Sequence, residues 1–69
     1  MTTGETDEFI IAYWKKAAEE NDRRAKGLEV LAPRLLDRGQ QRFMMYEAMA
    51  LRAQARRFRE AATKWEQAA

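Results

Sequence analysis

The segment MMYEAMALRAQARRFREAATKWEQAA, residues 44–69, decides the fold. Within it Met44, Ala48, Leu51, Ala55, Phe58, Ala62, Trp65 and Ala69 recur at alternating spacings of four and three. That is the a/d stripe of a heptad repeat on one long helix, with Ala at every a position and a bulky residue at every d. Working outward towards the N-terminus, a matching stripe runs through Ile11, Trp14, Ala18, Asn21, Ala25, Leu28, Ala32 and Leu35. Folding one helix back on the other about Arg38 brings together residues whose numbers add to 76. Ile11 then meets Trp65, Trp14 meets Ala62, Ala18 meets Phe58, Asn21 meets Ala55, Ala25 meets Leu51, Leu28 meets Ala48, and Ala32 meets Met44. Large faces small in nearly every layer, which fills a core without voids or overlap. The expected fold is therefore all-α, an antiparallel two-helix hairpin that pairs into a four-helix bundle.

Composition bounds what such a hairpin can do. At 69 residues the chain is one small domain, which buries little apolar surface by itself. It contains no Cys and no His, so disulfides, thiolate metal sites and the usual general base are excluded. Oligomerisation or a partner protein is the remaining source of support. No apolar run reaches the roughly 18 to 20 residues of a membrane span, and no secretion signal precedes the first helix. The expected location is the cytoplasm, without membrane contact. Thirteen Lys and Arg against eleven Asp and Glu leave a net charge of +2, too small to imply a polyanionic partner.

Residues 1–5 are polar and expected to fray, leaving 6–69 as the domain, with Thr6 as the N-cap of helix one and Thr3 as the next choice. Its exposed face carries Glu19 with Arg23, Glu20 with Arg24 and Asp22 with Lys26 at i, i+4 spacing, a solvated ion-pair pattern. Gly27 and Pro33 oppose a continuous helix, because Gly is a poor helix former and Pro removes a backbone donor. A kink or break between Gly27 and Pro33 is expected, with a helical segment beyond Pro33 because the heptad keeps its phase through Leu35. Asp37, Arg38 and Gly39 form the turn, Gly39 supplying a positive φ, and helix two runs from about residue 40 to 67.

The layers of Ala and large residues resemble those of the plasmid repressor-of-primer family, short helical hairpins that dimerise. The resemblance covers topology and layer pattern, and no RNA-contacting motif accompanies it.

Four features bear on function. Carboxylates are spread along exposed helix faces, and a hairpin cannot enclose them in a pocket, so no catalytic residue, cofactor or metal is expected. Asn21 is the one polar residue of the seam, where an amide can fix register or simply sit solvated at its margin. Arg52, Arg56, Arg57 and Arg59 form the concentrated basic patch, extended towards the turn by Arg38 and Arg42. Acidic Glu60 and Glu66 interrupt it and no aromatic residue interleaves, so a solvated or ion-paired face is favoured over a nucleic-acid site. Lastly, apolar residues remain after the seam is filled: Phe9, Ile10, Tyr13 and Ala17 at the open end, and Val30, Leu31, Leu36, Phe43, Met45, Tyr46 and Met49 near the turn. Either a kink at Pro33 folds the turn region over its own cluster, or Phe9, Ile10, Tyr13, Leu31, Phe43, Met45, Tyr46 and Met49 form a protein interface.

The leading expectation is a non-enzymatic protein-interaction module: a homodimeric adaptor, or a small regulator or inhibitor that binds a partner protein. The alternatives are a nucleic-acid-binding helical dimer using the arginines of helix two, and a small chaperone or subunit covering a helix of a larger partner.

Overall fold

The computed structural model describes residues 3–68, with side chains from residue 6 onward. Fraying is expected over residues 1–5, but α1 already includes Thr3, Gly4 and Glu5; Met1 and Thr2, and the place of Ala69 in the seam, lie outside the described residues. Helix α1 spans Thr3–Leu31, a 3-10 turn follows at Ala32–Arg34, and helix α2 spans Arg38–Ala68. The two helices pack against each other along their lengths as a hairpin 56 Å long and 14 by 11 Å across. No strand occurs among the described residues.

Three local expectations are corrected and a fourth holds. Thr6 lies inside α1 and cannot be its N-cap, since the helix already includes Thr3. Gly27 does not interrupt the helix; it keeps an ordinary φ, and the i, i+4 ladder runs through it to Leu31. The break comes at Pro33, inside the expected window, where the missing N–H and the restriction on the preceding residue tighten the chain into the 3-10 turn. No longer helical segment follows it: Leu35 is extended, at φ −80° and ψ 142°, and its N–H closes the turn on the Ala32 carbonyl at 3.1 Å.

The connection to α2 also differs from expectation. Gly39 has no positive φ and sits within the first turn of α2. The residue that sets the entry is Asp37. Its Oδ1 accepts the N–H groups of Gly39 at 2.7 Å and Gln40 at 3.2 Å, and its carbonyl accepts the N–H of Gln41 at 3.0 Å. This is an N-cap: two donors that the helix cannot satisfy internally are met by one carboxylate, placed where the helix dipole favours negative charge. The Gln41 side chain then reaches back to donate to the Leu35 carbonyl, tying the extended linker to α2.

The core is made of alanine. Ala18, Ala25 and Ala32 from α1 and the turn, and Ala48, Ala55 and Ala62 from α2, are 0–2% exposed, and no larger side chain among the described residues is fully buried. The helices therefore meet along their a rows. The bulky d residues Trp14, Leu28, Met44, Leu51 and Phe58 are only half-buried, and Trp65 is exposed. The turn region does not fold over its own apolar cluster, because Val30, Leu31, Leu36, Phe43, Tyr46 and Met49 all remain exposed.

Candidate functional site: an open apolar edge opposite a charged ladder

The alanine rows divide each helix surface into two unlike sides. At about 100° per residue, the row Lys15, Asp22, Glu29 lies about 50° to one side of the alanines of α1, and the row Trp14, Asn21, Leu28 lies about 50° to the other. On α2 the row Arg52, Arg59, Glu66 corresponds to the first, and Met44, Leu51, Phe58, Trp65 to the second.

The first side is a ladder of ion pairs between the helices. Lys15 Nζ lies 3.3 Å from Glu66, Asp22 contacts Arg59 and lies 3.6 Å from Arg52, and Arg52 grips Glu29 through Nε at 2.7 Å and Nη2 at 2.6 Å. Such forked pairing fixes orientation as well as attraction. The hydrogen bonds from Arg52 hold the Glu29 carboxyl below its usual range, against partial desolvation, and the positive charge of Arg52 adds to the effect. The same pair raises Arg52. Asp22 thus spends its carboxylate across the seam rather than on Lys26, and the i, i+4 pairs expected along α1 are absent among the described residues.

The second side is open and largely apolar. Near the turn, Leu28, Leu31 and Leu51 line a shallow groove together with Arg24, Gly27, Glu47 and Ala50. A Cβ on Gly27 would meet nothing within 4 Å. Near the open end, Phe9, Ile10, Tyr13, Trp14 and Trp65 border a second groove. Its aromatic rings are organised: Trp14 lies 5.4 Å from Tyr13 edge to face and 5.1 Å from Phe58 in a tilted stack. Between the two grooves, Asn21 Nδ2 donates to Gln54 Oε1 at 2.8 Å.

The structure distributes the residues singled out from the sequence as follows. The six seam alanines are buried. Ile11, Trp14, Asn21, Leu28, Leu35, Met44, Leu51 and Phe58 are half-buried, at the seam margin rather than sealed within it. Phe9, Ile10, Tyr13 and Leu31 line the two grooves. Phe43 and Tyr46 face away from α1 on the back of α2, Met45 shares the row of Arg52 and Arg59, and Met49 lies just beyond it, so the turn cluster does not form one patch with the grooves. Of the four arginines, Arg52 and Arg59 are engaged by Glu29 and Asp22, while Arg56 and Arg57 are exposed.

Sequence reasoning missed Gln54, the partner of Asn21, and the place of Gly27 and Ala50 in the turn-side groove. The seven-residue spacing of Lys15, Asp22 and Glu29 against Arg52, Arg59 and Glu66 was a usable signal for the ladder, since e positions face one another across an antiparallel seam. Among the described residues, no group of three acidic side chains lies close enough to hold a metal and no helix is long and apolar enough to cross a membrane. No protein-family model, no curated protein and no solved structure matches the chain.

Proposed function

We propose that the protein is a non-enzymatic protein-interaction module that receives two further helices along its open edge and so completes a four-helix bundle. One observation carries this reading: the hairpin buries six alanines and leaves every large d residue partly in water. Apolar surface contributes about 25 cal/mol per Å² when removed from water, and Ala offers little of it. A hairpin sealed only by alanines lacks the burial that offsets the ordering of its backbone. Both grooves are shallow and bordered by large apolar side chains, the kind of surface against which a further helix packs. The ladder on the other edge holds the two helices in register while that face is open.

Nucleic-acid binding through α2 receives less support, because half of the arginine patch is neutralised from within the chain. A role as regulator, adaptor or helix-covering subunit uses the open edge in the same way.

The reading is tested by sedimentation and circular dichroism on the isolated protein and two variants. Leu28→Asp, in the turn-side groove, is expected to abolish association and reduce helicity. Tyr46→Asp, on the back of α2, is expected to change neither. A monomer that is fully helical and melts cooperatively at tens of micromolar needs nothing on its open edge, and that result would end the proposal.

A further inference from the structure

The open edge has an internal symmetry that identifies its occupant. On α1 the d row Trp14, Asn21, Leu28 is centred on residue 21; on α2 the d row Met44, Leu51, Phe58, Trp65 is centred midway between residues 54 and 55. The Asn21–Gln54 hydrogen bond shows that the two centres are at one height. A two-fold axis lying in the open face, perpendicular to the helices and passing through that pair, therefore maps both rows onto themselves.

Building the second copy with this axis places Trp14 against Leu28 of the second copy, Leu51 against its Phe58, and Met44 against its Trp65. Each contact occurs twice. The aromatic groove of one copy then lies over the groove of Leu28, Leu31 and Leu51 in the other. Hairpins stacked with their turns together would instead lay the cluster of Trp14, Phe58 and Trp65 on the same cluster of the second copy, the bulkiest side chains all at one end, which close packing disfavours. Charges agree with the first arrangement. Arg24 comes within one helical turn of Glu20 of the second copy, and Glu47 within one turn of its Lys64.

The groups on the axis itself are amides. Asn and Gln each carry donors and an acceptor, so they pair with their own copies, as an isologous interface requires and a lone charge could not do. After the Asn21–Gln54 bond, both amides keep unused capacity at the level of the axis.

Area points the same way. The chain exposes 5695 Å², about 1200 Å² more than the roughly 4500 Å² of a compact monomer of 8.1 kDa. Specific dimers bury about 800 Å² per partner, so the excess is sufficient for one such interface. We infer that the open edge is covered by a second copy of this chain, antiparallel to the first, with the two-fold axis at Asn21 and Gln54. This rests on the reading of that edge as a helix-binding surface.

The absence of Cys makes the arrangement directly measurable. Gln40, beside the turn, lies 14.5 residues from the axis on α2, about 22 Å at 1.5 Å per residue, so spin labels on Gln40→Cys are expected about 44 Å apart in the dimer. A dimer with labels closer than about 25 Å has its turns together; that overturns the register and leaves the helix-binding reading intact. A monomer at 100 µM overturns the second copy as occupant; partial, non-cooperative helicity in that monomer preserves the helix-binding reading, and a full cooperative melt removes it too. As an independent check on the axis, Asn21→Cys is expected to oxidise to a disulfide-linked dimer while Glu19→Cys, beside the ladder, does not. A dimer that fails to cross-link at residue 21 would show that the axis lies elsewhere.

Discussion

Enlarging one seam alanine tests the packing argument most directly. Ala25 is completely buried in the middle of the α1 row, and the only residues buried around it are other alanines. The helices meet where Ala25 leaves no space for three more heavy atoms, so Ala25→Leu must either push α1 and α2 apart or force the leucine into a strained rotamer. Overpacking of this kind costs about 1–3 kcal/mol. For a domain of this size each kcal/mol moves the midpoint by about 4–8 °C, so a loss near 2 kcal/mol lowers Tm by about 8–16 °C. Separation of the helices also lengthens the Arg52–Glu29 and Asp22–Arg59 contacts, which adds to the loss. Exposed Ala12 is the control, where Leu changes stability by less than about 0.5 kcal/mol. Thermal melts by circular dichroism must be run at equal chain concentration, because association itself raises Tm. Equal midpoints for Ala25→Leu and Ala12→Leu would show that the alanine row does not set the distance between the helices.

Three further outcomes follow from particular contacts. Asp37→Ala removes the cap of α2 and is expected to cost about 0.5–2 kcal/mol, with hydrogen exchange accelerated at Gly39 and Gln40; unchanged exchange there would rule out the capping role. Gly27→Ala fits the helix and meets no neighbour in the hairpin, so it should raise helicity by up to about 1 kcal/mol while weakening association by filling the groove; a gain in both would mean that nothing enters the groove at Gly27. Glu29 has a lowered pKa in the folded chain, so its contribution is complete above the unfolded value near 4.3 and disappears as pH falls through the lowered one. Glu29→Gln is accordingly expected to flatten the decline of Tm as the pH falls below the unfolded value, and an identical decline in the variant would discount the pair with Arg52.

The helical hairpin was legible because two separate stripes agreed in phase, a signal that depends only on period and residue size. The position of the break was legible from Pro33 for a covalent reason, the absent N–H. The role of Gly27 was not, since a propensity of about 1 kcal/mol yields readily to packing on either side of it. The cap was misplaced from Asp37 to a Gly39 turn because both residue types favour helix ends, and only the backbone angles distinguish a preceding C-terminus from a following N-terminus. The open edge was misread for a different cause. A heptad stripe states which residues face a neighbouring helix, but alanines at every a position except Ile11 rotate the contact onto that row and turn the d row outward. Trp14, Leu28, Leu51 and Trp65, assigned to a filled seam, consequently line the face that is open in the single chain, whereas Met45 and Met49, assigned to the interface, fall on the ladder side.

The ladder also orders events in time. Glu29 and Arg52 are separated by 23 positions in sequence, Asn21 and Gln54 by 33, and Asp22 and Arg59 by 37. Loop closure becomes costlier with length, by about 0.6 kcal/mol for each doubling, so the forked Glu29–Arg52 contact closes the shortest of these loops from an unfolded chain. Once it forms, each later contact encloses only the few residues added since the last, and the hairpin closes from the Asp37 end towards Lys15 and Glu66. Its opening runs in reverse: the Lys15–Glu66 end parts first and splits the groove between Trp14 and Trp65 before the turn end loosens.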